Sequence, residues 1–229
     1  MHEHYLEKDN SSGYFDNTKT NLLNLIPTEL KNGNLLEIGA AGANTLIYAK
    51  ENGYANKIYG IELCKLENSN QEHKLLDDFI IGNIEELDIP FNENYFDVII
   101  CGDVLEHLVD PYSVVVKLKK YLKNDGVFIA SIPNIRKFSI LYTIFVKGDF
   151  KYADSGILDK THLRFFTKKN MIELFENNGY IVHSIVASDK CDIKRYAKRL
   201  RLYRLFKCLI SFLFREFSTM QYHIVAKKS

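Results

Sequence analysis

The sequence has little of what marks several common classes of protein. Its cysteines are few and scattered, and no Cys-x-x-Cys pair or metal-finger spacing of histidines occurs among them: Cys64, Cys101, Cys191 and Cys208. A disulfide framework or structural zinc site therefore has no support. No run approaches the roughly 20 apolar residues that span a bilayer, and the polar residues 1–15 lack the apolar stretch of a secretion signal. We expect a reduced, cytoplasmic protein.

A strong charge of one sign is also missing. The 30 Lys and Arg residues almost balance the 29 Asp and Glu residues, so the overall charge does not indicate nucleic acid as a partner. What is present is a chain of 229 residues, 46% of them hydrophobic. That is enough for one substantial domain with a buried core, and we predict a single domain over residues 1–229.

Short apolar runs alternate with longer segments that have helical patterning. The runs read LLEI, KIYGIEL, FIIG, YFDVIICG, GVFIASIP, YIVHSIVAS and QYHIVAKK. Three segments between the early runs, ANTLIYAKENGY, CKLENSNQEHKLL and DPYSVVVKLKKYLKNDG, are predicted helices, and the last is expected to end in a cap at Asp125 and Gly126. Nearly continuous apolar runs are typical of strands covered on both faces. The pattern predicts an α/β, doubly wound, mainly parallel sheet.

The first run is followed by the small-residue turn GAAGAN. A dinucleotide site requires G-x-G-x-x-G so that pyrophosphate can approach bare backbone, but only Gly39 and Gly42 remain, and Ala41 carries a methyl group. A ligand without phosphates needs only small residues and a free helix N-terminus for a carboxylate. S-adenosylmethionine meets this description. A tight turn without a ligand is the alternative that the loop by itself leaves open.

Polar residues also follow the next three runs. Glu62 ends the second, 23 residues after Gly39, where an acid can accept hydrogen bonds from both ribose hydroxyls. Asn83 and Ile84 follow the third, where an amide can meet the adenine edge. Because the carboxyl ends of parallel strands share one edge, these groups are predicted to meet in one cleft. The fourth run is followed by Asp103, Glu106 and His107.

In this order the segments resemble class I S-adenosylmethionine-dependent methyltransferases. The resemblance rests on LEIGAAGAN, GIEL, GNIEEL and FDVIICGDVLEHLVDP, followed by LKKYLKNDGVFIASIPN. The segments GILDKTHLRFFTKKNMIELFENNGY and QYHIVAKK are similar to a subgroup often encoded with sugar and surface-polysaccharide enzymes. The resemblance implies a seven-stranded sheet whose last strand runs antiparallel to the rest, with S-adenosyl-L-methionine as cofactor.

The resemblance also implies roles for single residues. Glu37 would help to hold the loop and the amino group of the cofactor, and Glu62 would bind the ribose. Asn83 stands where an aspartate is usual beside the adenine amino group, and its carbonyl can accept the same bond. Ala41 and Ala43 replace residues that are more often glycine. The predicted cofactor residues are Glu37, Gly39, Ala41, Gly42, Glu62, Leu63, Asn83, Ile84 and Asp103.

The candidate catalytic residues are Asp103, His107 and His162. A hydroxyl acceptor needs a base, whereas an amine needs only deprotonation and positioning. The alternatives are that His107 bonds backbone at a helix end and that His162 packs a loop. Asp103, Glu106 and His107 also resemble the cluster that binds a divalent metal in some quinone-biosynthesis O-methyltransferases. Many relatives keep Leu-Glu-His without a metal, so no metal ligands are assigned.

Three regions are predicted along the chain: a cofactor-binding core over residues 30–133, an acceptor-side lid over 134–166, and a basic amphipathic helical insert over 190–217. The lid is expected to line the acceptor site, with the alternative of a small satellite core of its aromatic rings, which include Tyr142, Phe150 and Tyr152. The insert is expected to pack on the sheet. Peripheral contact with an anionic membrane through residues 193–217 is its alternative.

The function predicted from the sequence is methyl transfer from S-adenosylmethionine to a hydroxyl or amine of a small molecule, with a sugar or glycan precursor as a candidate acceptor. Two alternatives stay open. One is a non-catalytic partner subunit that binds the cofactor. The other is an NAD(P)-dependent oxidoreductase that uses the same acid on the ribose.

Overall fold

The computed structural model describes residues 17–188 and 215–229. These residues form a seven-stranded sheet in the order β3-β2-β1-β4-β5-β7-β6. β7 pairs antiparallel with both β5 and β6, and the other pairs are parallel. The predicted doubly wound α/β fold with an antiparallel last strand is confirmed. The strands are β1 (Asn34–Ile38), β2 (Lys57–Glu62), β3 (Asp78–Ile81), β4 (Phe96–Gly102), β5 (Leu122–Pro133), β6 (Tyr180–Ala187) and β7 (Gln221–Lys228).

Two of the helices begin at residues whose side chains cap them. The Asp110 side chain accepts the N–H of Ser113 at the start of α3, which has Pro111 in its first turn. Thr167 accepts the N–H of Asn170 at the start of α5. The helices are α1 (Thr20–Leu23), α2 (Asn44–Glu51), α3 (Pro111–Tyr121), α4 (Phe138–Lys147) and α5 (Lys168–Glu176), with 3-10 turns at Thr28–Leu30, Leu105–His107 and Arg215–Phe217.

Both faces of the sheet are covered. On β1, Leu36 and Ile38 belong to one buried cluster, whereas Leu35 belongs to a second cluster on the opposite face. β4 divides in the same way, with Ile99 on the first face and Ile100 on the second. This double burial explains why the strand sequences are continuous apolar runs rather than alternating ones.

One predicted helical segment was wrong, and the predicted end of another was wrong. Residues 64–76 form turns, in which Asn68 adopts a left-handed φ of 53°, a conformation that a right-handed helix excludes. The α3 helix ends at Tyr121, and Gly126 lies inside β5 instead of capping the helix. There a Cβ atom would come within 2.9 Å of the carbonyl oxygen of Asp97, so the glycine permits close approach of two strands.

The predicted basic insert, apart from residues 215–217, lies outside the described residues. Within residues 17–188 and 215–229, no helix has the length and apolar character that crossing a bilayer requires.

Candidate active site

The loop after β1 holds left-handed backbone at three positions. The φ angles are 66° at Gly39, 47° at Ala41 and 65° at Ala43, so alanine occupies two positions that normally favour glycine. Gly39 has a second reason to lack a side chain, because a Cβ there would lie 2.4 Å from Cγ2 of Val104. Strained backbone of this kind concentrates at ligand sites. These φ angles explain why glycine is more usual at both positions in the family that the sequence resembles.

Glu62 fastens this loop. Its carboxylate is buried, with 2% exposure. Oε2 accepts the N–H of Ala41 at 2.7 Å, and Oε1 accepts the N–H of Leu63 at 2.6 Å. The acid predicted to bind ribose is therefore fixed in place by backbone donors on both oxygens.

Glu37 lies beneath the loop together with Lys19, a residue that sequence reasoning missed. Lys19 Nζ is 3.6 Å from Oε1 of Glu37 and donates to the carbonyl oxygen of Gly102 at 2.7 Å. Burial raises the pKa of Glu37, and the positive charge of Lys19 opposes this rise. The pair joins the carboxyl ends of β1 and β4, so Glu37 supports the site from below.

A cavity of about 310 Å³ opens at the carboxyl ends of β1, β2, β3 and β4. Asn83 lies in its wall, where its Oδ1 accepts the N–H of Glu85 at 3.0 Å and its Nδ2 donates to Glu86 at 3.2 Å. Glu37, Ala41 and Gly42 are not among the lining residues. Six of the predicted cofactor residues line the cavity: Gly39, Glu62, Leu63, Asn83, Ile84 and Asp103.

Asp103 stands at the end of this cavity, directly after β4. It has a left-handed φ of 58°, and its N–H donates to Oγ of Ser131 at 3.0 Å. Oδ1 of Asp103 accepts hydrogen bonds from Oγ of Ser131 and Nε2 of Gln221. Gln221 begins β7, far along the chain, and its part in the site has no signal in the sequence.

A second cavity of about 160 Å³ adjoins the first and shares Asp103 and His107 with it. Its other polar lining residues are Glu106, Asp159, His162 and Gln221. The structure therefore brings the three candidate catalytic residues to one place. Asp103 and His107 lie between the cavities, and His162 lines the second.

The two histidines have fixed ring orientations. Nδ1 of His107 is 3.1 Å from the carbonyl oxygen of Thr161, and Nδ1 of His162 is 3.0 Å from that of Ile157. A carbonyl oxygen can only accept, so the proton of each hydrogen bond belongs to Nδ1. The rings meet edge to face with centroids 4.7 Å apart.

Glu106 is the most unusual side chain of the site. It has 1% exposure, and neither carboxylate oxygen has a hydrogen-bond partner among the described residues. Burial raises its pKa well above the usual value, and the nearby charge of Asp103 raises it further. One ligand atom each from Glu106, His107 and His162 lies within 4.8 Å of the others. The resemblance groups Asp103 with Glu106 and His107. In the structure, His162 instead of Asp103 completes this cluster.

The segment predicted as a lid, residues 134–166, reaches the site through different residues from those expected. The backbone N–H groups of Leu163 and Arg164 both donate to the carbonyl oxygen of Glu106, at 2.8 and 2.9 Å. Phe150 and Tyr152 instead form an aromatic cluster with Phe165. None of the rings predicted as walls, Tyr142, Phe150 and Tyr152, lines either cavity; Gly156, Ile157, Asp159, Thr161 and His162 do so.

A doubly wound sheet with an acid at the end of β2, beside a small-residue loop after β1, defines a Rossmann-like nucleoside-binding protein. A family model described as a methyltransferase domain matches residues 6–185. The chain belongs to this methyltransferase family. Its cofactor is accordingly S-adenosylmethionine, which decides against the dinucleotide interpretation.

Individual relatives are distant. The chain is 27% identical over 155 residues to the ubiquinone biosynthesis O-methyltransferase of Rickettsia prowazekii (strain Madrid E), a match that covers 63% of this chain and 52% of that protein. The chain thus spans about half the length of this curated relative. A S-adenosylmethionine-dependent methyltransferase structure from Archaeoglobus fulgidus aligns with a TM-score of 0.68 and 20% identity, over 98% of this chain and 99% of that chain. One from Aquifex aeolicus aligns with a TM-score of 0.61 and 14% identity, over 98% and 97%. At these identities the two structures show the shared fold.

Proposed function

We propose that this protein transfers the methyl group of S-adenosylmethionine to a hydroxyl or amine of a small molecule, with a sugar or glycan precursor as candidate acceptor. The observation that carries the proposal is the meeting of two cavities at Asp103 and His107. Methyl transfer is an in-line displacement, so donor and acceptor must be held in contact along one line. Adjoining cavities with a shared wall of polar side chains satisfy this requirement.

The larger cavity is proposed to hold the cofactor. Both oxygens of Glu62 are oriented by backbone N–H groups at the wall of this cavity, and a carboxylate is an acceptor suited to ribose hydroxyls. Leu63 and Ile84 supply apolar surface next to Asn83 for the adenine ring. Glu37 acts indirectly in this proposal, by holding the loop through Lys19.

The smaller cavity is proposed to hold the acceptor. Asp103 and His107 border both cavities, and His162 borders the second, so each is placed to take a proton from an acceptor hydroxyl or to orient an amine. The Nδ1 atoms of both histidines contact backbone carbonyls, so the proposal assigns this role to Nε2. The cofactor supplies the methyl group; the residues orient the acceptor and receive its proton.

Two likenesses support the acceptor class. The name of the Rickettsia relative specifies O-methylation, which favours a hydroxyl. The segment THLRFFT, whose His162 lines the second cavity, is similar to the subgroup associated with sugar and surface-polysaccharide enzymes.

The test is methyl transfer by the purified protein from labelled S-adenosylmethionine to pools of monosaccharides, lipid-linked sugars, phenols and amines. Formation of S-adenosylhomocysteine together with label in a sugar or other hydroxyl compound is expected. Binding of the cofactor without transfer to any pool would contradict the enzymatic proposal and favour the non-catalytic partner subunit. The Asp103→Asn variant is the matched control for the transfer reaction, because asparagine keeps the shape of the aspartate side chain at the wall that the two cavities share.

A further inference from the structure

The carboxyl group of Glu106 lacks the partner that its position demands. The side chain is 1% exposed and lines the second cavity, yet neither oxygen has a hydrogen-bond partner among the described residues. Buried polar groups are almost always satisfied, and exceptions in folded proteins call for a functional explanation or a missing ligand. The two oxygens offer hydrogen-bond acceptor sites toward whatever enters the cavity.

Acidic side chains dominate the described lining of the second cavity. Asp103, Glu106 and Asp159 contribute three carboxyl groups to its lining, and no lysine or arginine is among the described lining residues. Arg164, two residues after His162, donates from its guanidinium to the carbonyl oxygen of Val109, a residue that lines the first cavity. A carboxylate or phosphate placed here would meet acidic side chains, and Lys19, the lysine whose charge reaches Glu106, already pairs with Glu37, so an anion is disfavoured at this buried site.

We infer that Glu106 binds the acceptor through an O–H or N–H group, and that the second cavity admits hydroxyl- and ammonium-bearing groups while it rejects carboxylates and phosphates. This inference rests on the proposed function and narrows its substrate class. Any anionic part of a natural acceptor, such as the phosphate of a sugar phosphate, must then lie outside the cavity.

A divalent cation is the competing occupant of the space beside Glu106, because Glu106, His107 and His162 place ligand atoms within 4.8 Å of one another. The size of the cavity, about 160 Å³, and its opening to the cofactor cavity through Asp103 and His107 favour an organic group. A single ion would fill only a small part of that space. Cation binding is therefore one of the outcomes that the experiment must separate.

The experiment measures binding instead of turnover. Protein saturated with S-adenosylhomocysteine, with its binding confirmed first by calorimetry, is screened by ligand-observed NMR against small fragments of matched size in four arms: neutral alcohols, amines, carboxylates and phosphates. Failure to bind S-adenosylhomocysteine would refute the proposed function separately. Fragments count as occupants of the second cavity when Glu106→Leu weakens their binding at least tenfold and Glu51→Gln, at the exposed end of α2, leaves it unchanged.

The expected result is that such fragments come from the alcohol or amine arms, and the comparison of these two arms tells which donor the site prefers. Glu106→Gln retains a polar side chain of the same shape, so it covers the case in which Glu106→Leu fails to fold. The inference is overturned if carboxylates or phosphates bind there as well as alcohols and amines, or if no fragment depends on Glu106. It is also overturned if wild type binds Mg²⁺, Mn²⁺ or Zn²⁺ stoichiometrically and Glu106→Gln does not.

Discussion

The backbone N–H of Ala41 donates a hydrogen bond of 2.7 Å to Oε2 of Glu62, which joins the loop after β1 to the end of β2. One carboxylate thereby has two tasks, since the group proposed to hold the ribose also holds the loop beside the cofactor cavity. Changes at either residue should affect both loop geometry and cofactor affinity.

Glu62→Gln tests the ribose assignment with little change of shape. The amide keeps one oxygen but loses the negative charge and one of the two acceptor positions, so Ala41 or Leu63 must give up its bond. Loss of charge-assisted hydrogen bonds of about 1.5–3 kcal/mol weakens S-adenosylhomocysteine binding roughly ten- to a hundredfold. Calorimetry measures this, with Glu51→Gln at the exposed end of α2 as control. Equal affinity of Glu62→Gln and wild type would refute the assignment.

Ala41→Gly tests the strain in the loop. The φ of 47° at Ala41 costs an L-residue roughly 1–2 kcal/mol, which glycine avoids; the added freedom of the unfolded chain offsets about 0.4–1 kcal/mol of this gain. We expect a net stabilisation of about 0.5–1 kcal/mol, observable as a Tm increase of a few degrees. Ala40→Gly is the matched control. Ala40 is buried and does not have a positive φ, so glycine there should lower the Tm.

Lys19→Met tests the pair beneath the loop. It leaves the buried carboxyl of Glu37 without the cation 3.6 Å away. Removal of one partner of a buried ion pair costs about 3–5 kcal/mol. Because Lys19 is 20% exposed, solvent screening reduces the expected loss to about 2 kcal/mol. Denaturant unfolding measures the change, and the double variant with Glu37→Gln should recover most of it. Equal losses in the single and double variants would show that the two residues act independently.

Glu106→Gln tests the buried acid through the pH dependence of stability. The folded state raises the pKa of Glu106, whereas the unfolded chain ionises this group above about pH 4.3. Wild-type stability therefore falls as pH rises from about 4.3 toward the raised pKa, and the variant lacks this loss. The difference in unfolding free energy, variant minus wild type, should grow from pH 4 to pH 8. A difference that does not change with pH would contradict the buried, neutral state. The other charged or titratable groups near Glu106 are Asp103, His107, Asp159, His162 and Lys19.

Much of the fold was accessible from the sequence because strands buried on both faces must be apolar throughout. Apolar runs located all seven strands, including β3 and β6, which are only partly buried. The prediction of helices failed for one segment, because its residue spacing did not determine its structure. The charged segment 64–76 has helical spacing, but the side chain of Gln71 donates to the carbonyl oxygens of Cys64, within the segment, and of Ala41, in the loop after β1. The bond to Ala41 is a long-range contact that no local pattern encodes.

The site was predictable to the extent that it depends on strand ends. Glu62, Asn83 and Asp103 follow three strands of one sheet, so topology alone brings them to one cavity. Lys19 and Gln221 reach the same edge from distant parts of the chain and have no such signal. The grouping of His162 with Glu106 depends on lid backbone donating to the Glu106 carbonyl, which spacing along the chain does not reveal.

The two adjoining cavities are proposed to hold cofactor and acceptor on either side of Asp103 and His107. A crystal structure with S-adenosylhomocysteine tests this proposal most directly. We predict ribose hydroxyls within hydrogen-bond distance of Glu62, adenine beside Asn83, and the sulfur facing the shared wall. A nucleoside bound away from Glu62, or a sulfur that points away from the second cavity, would contradict the account.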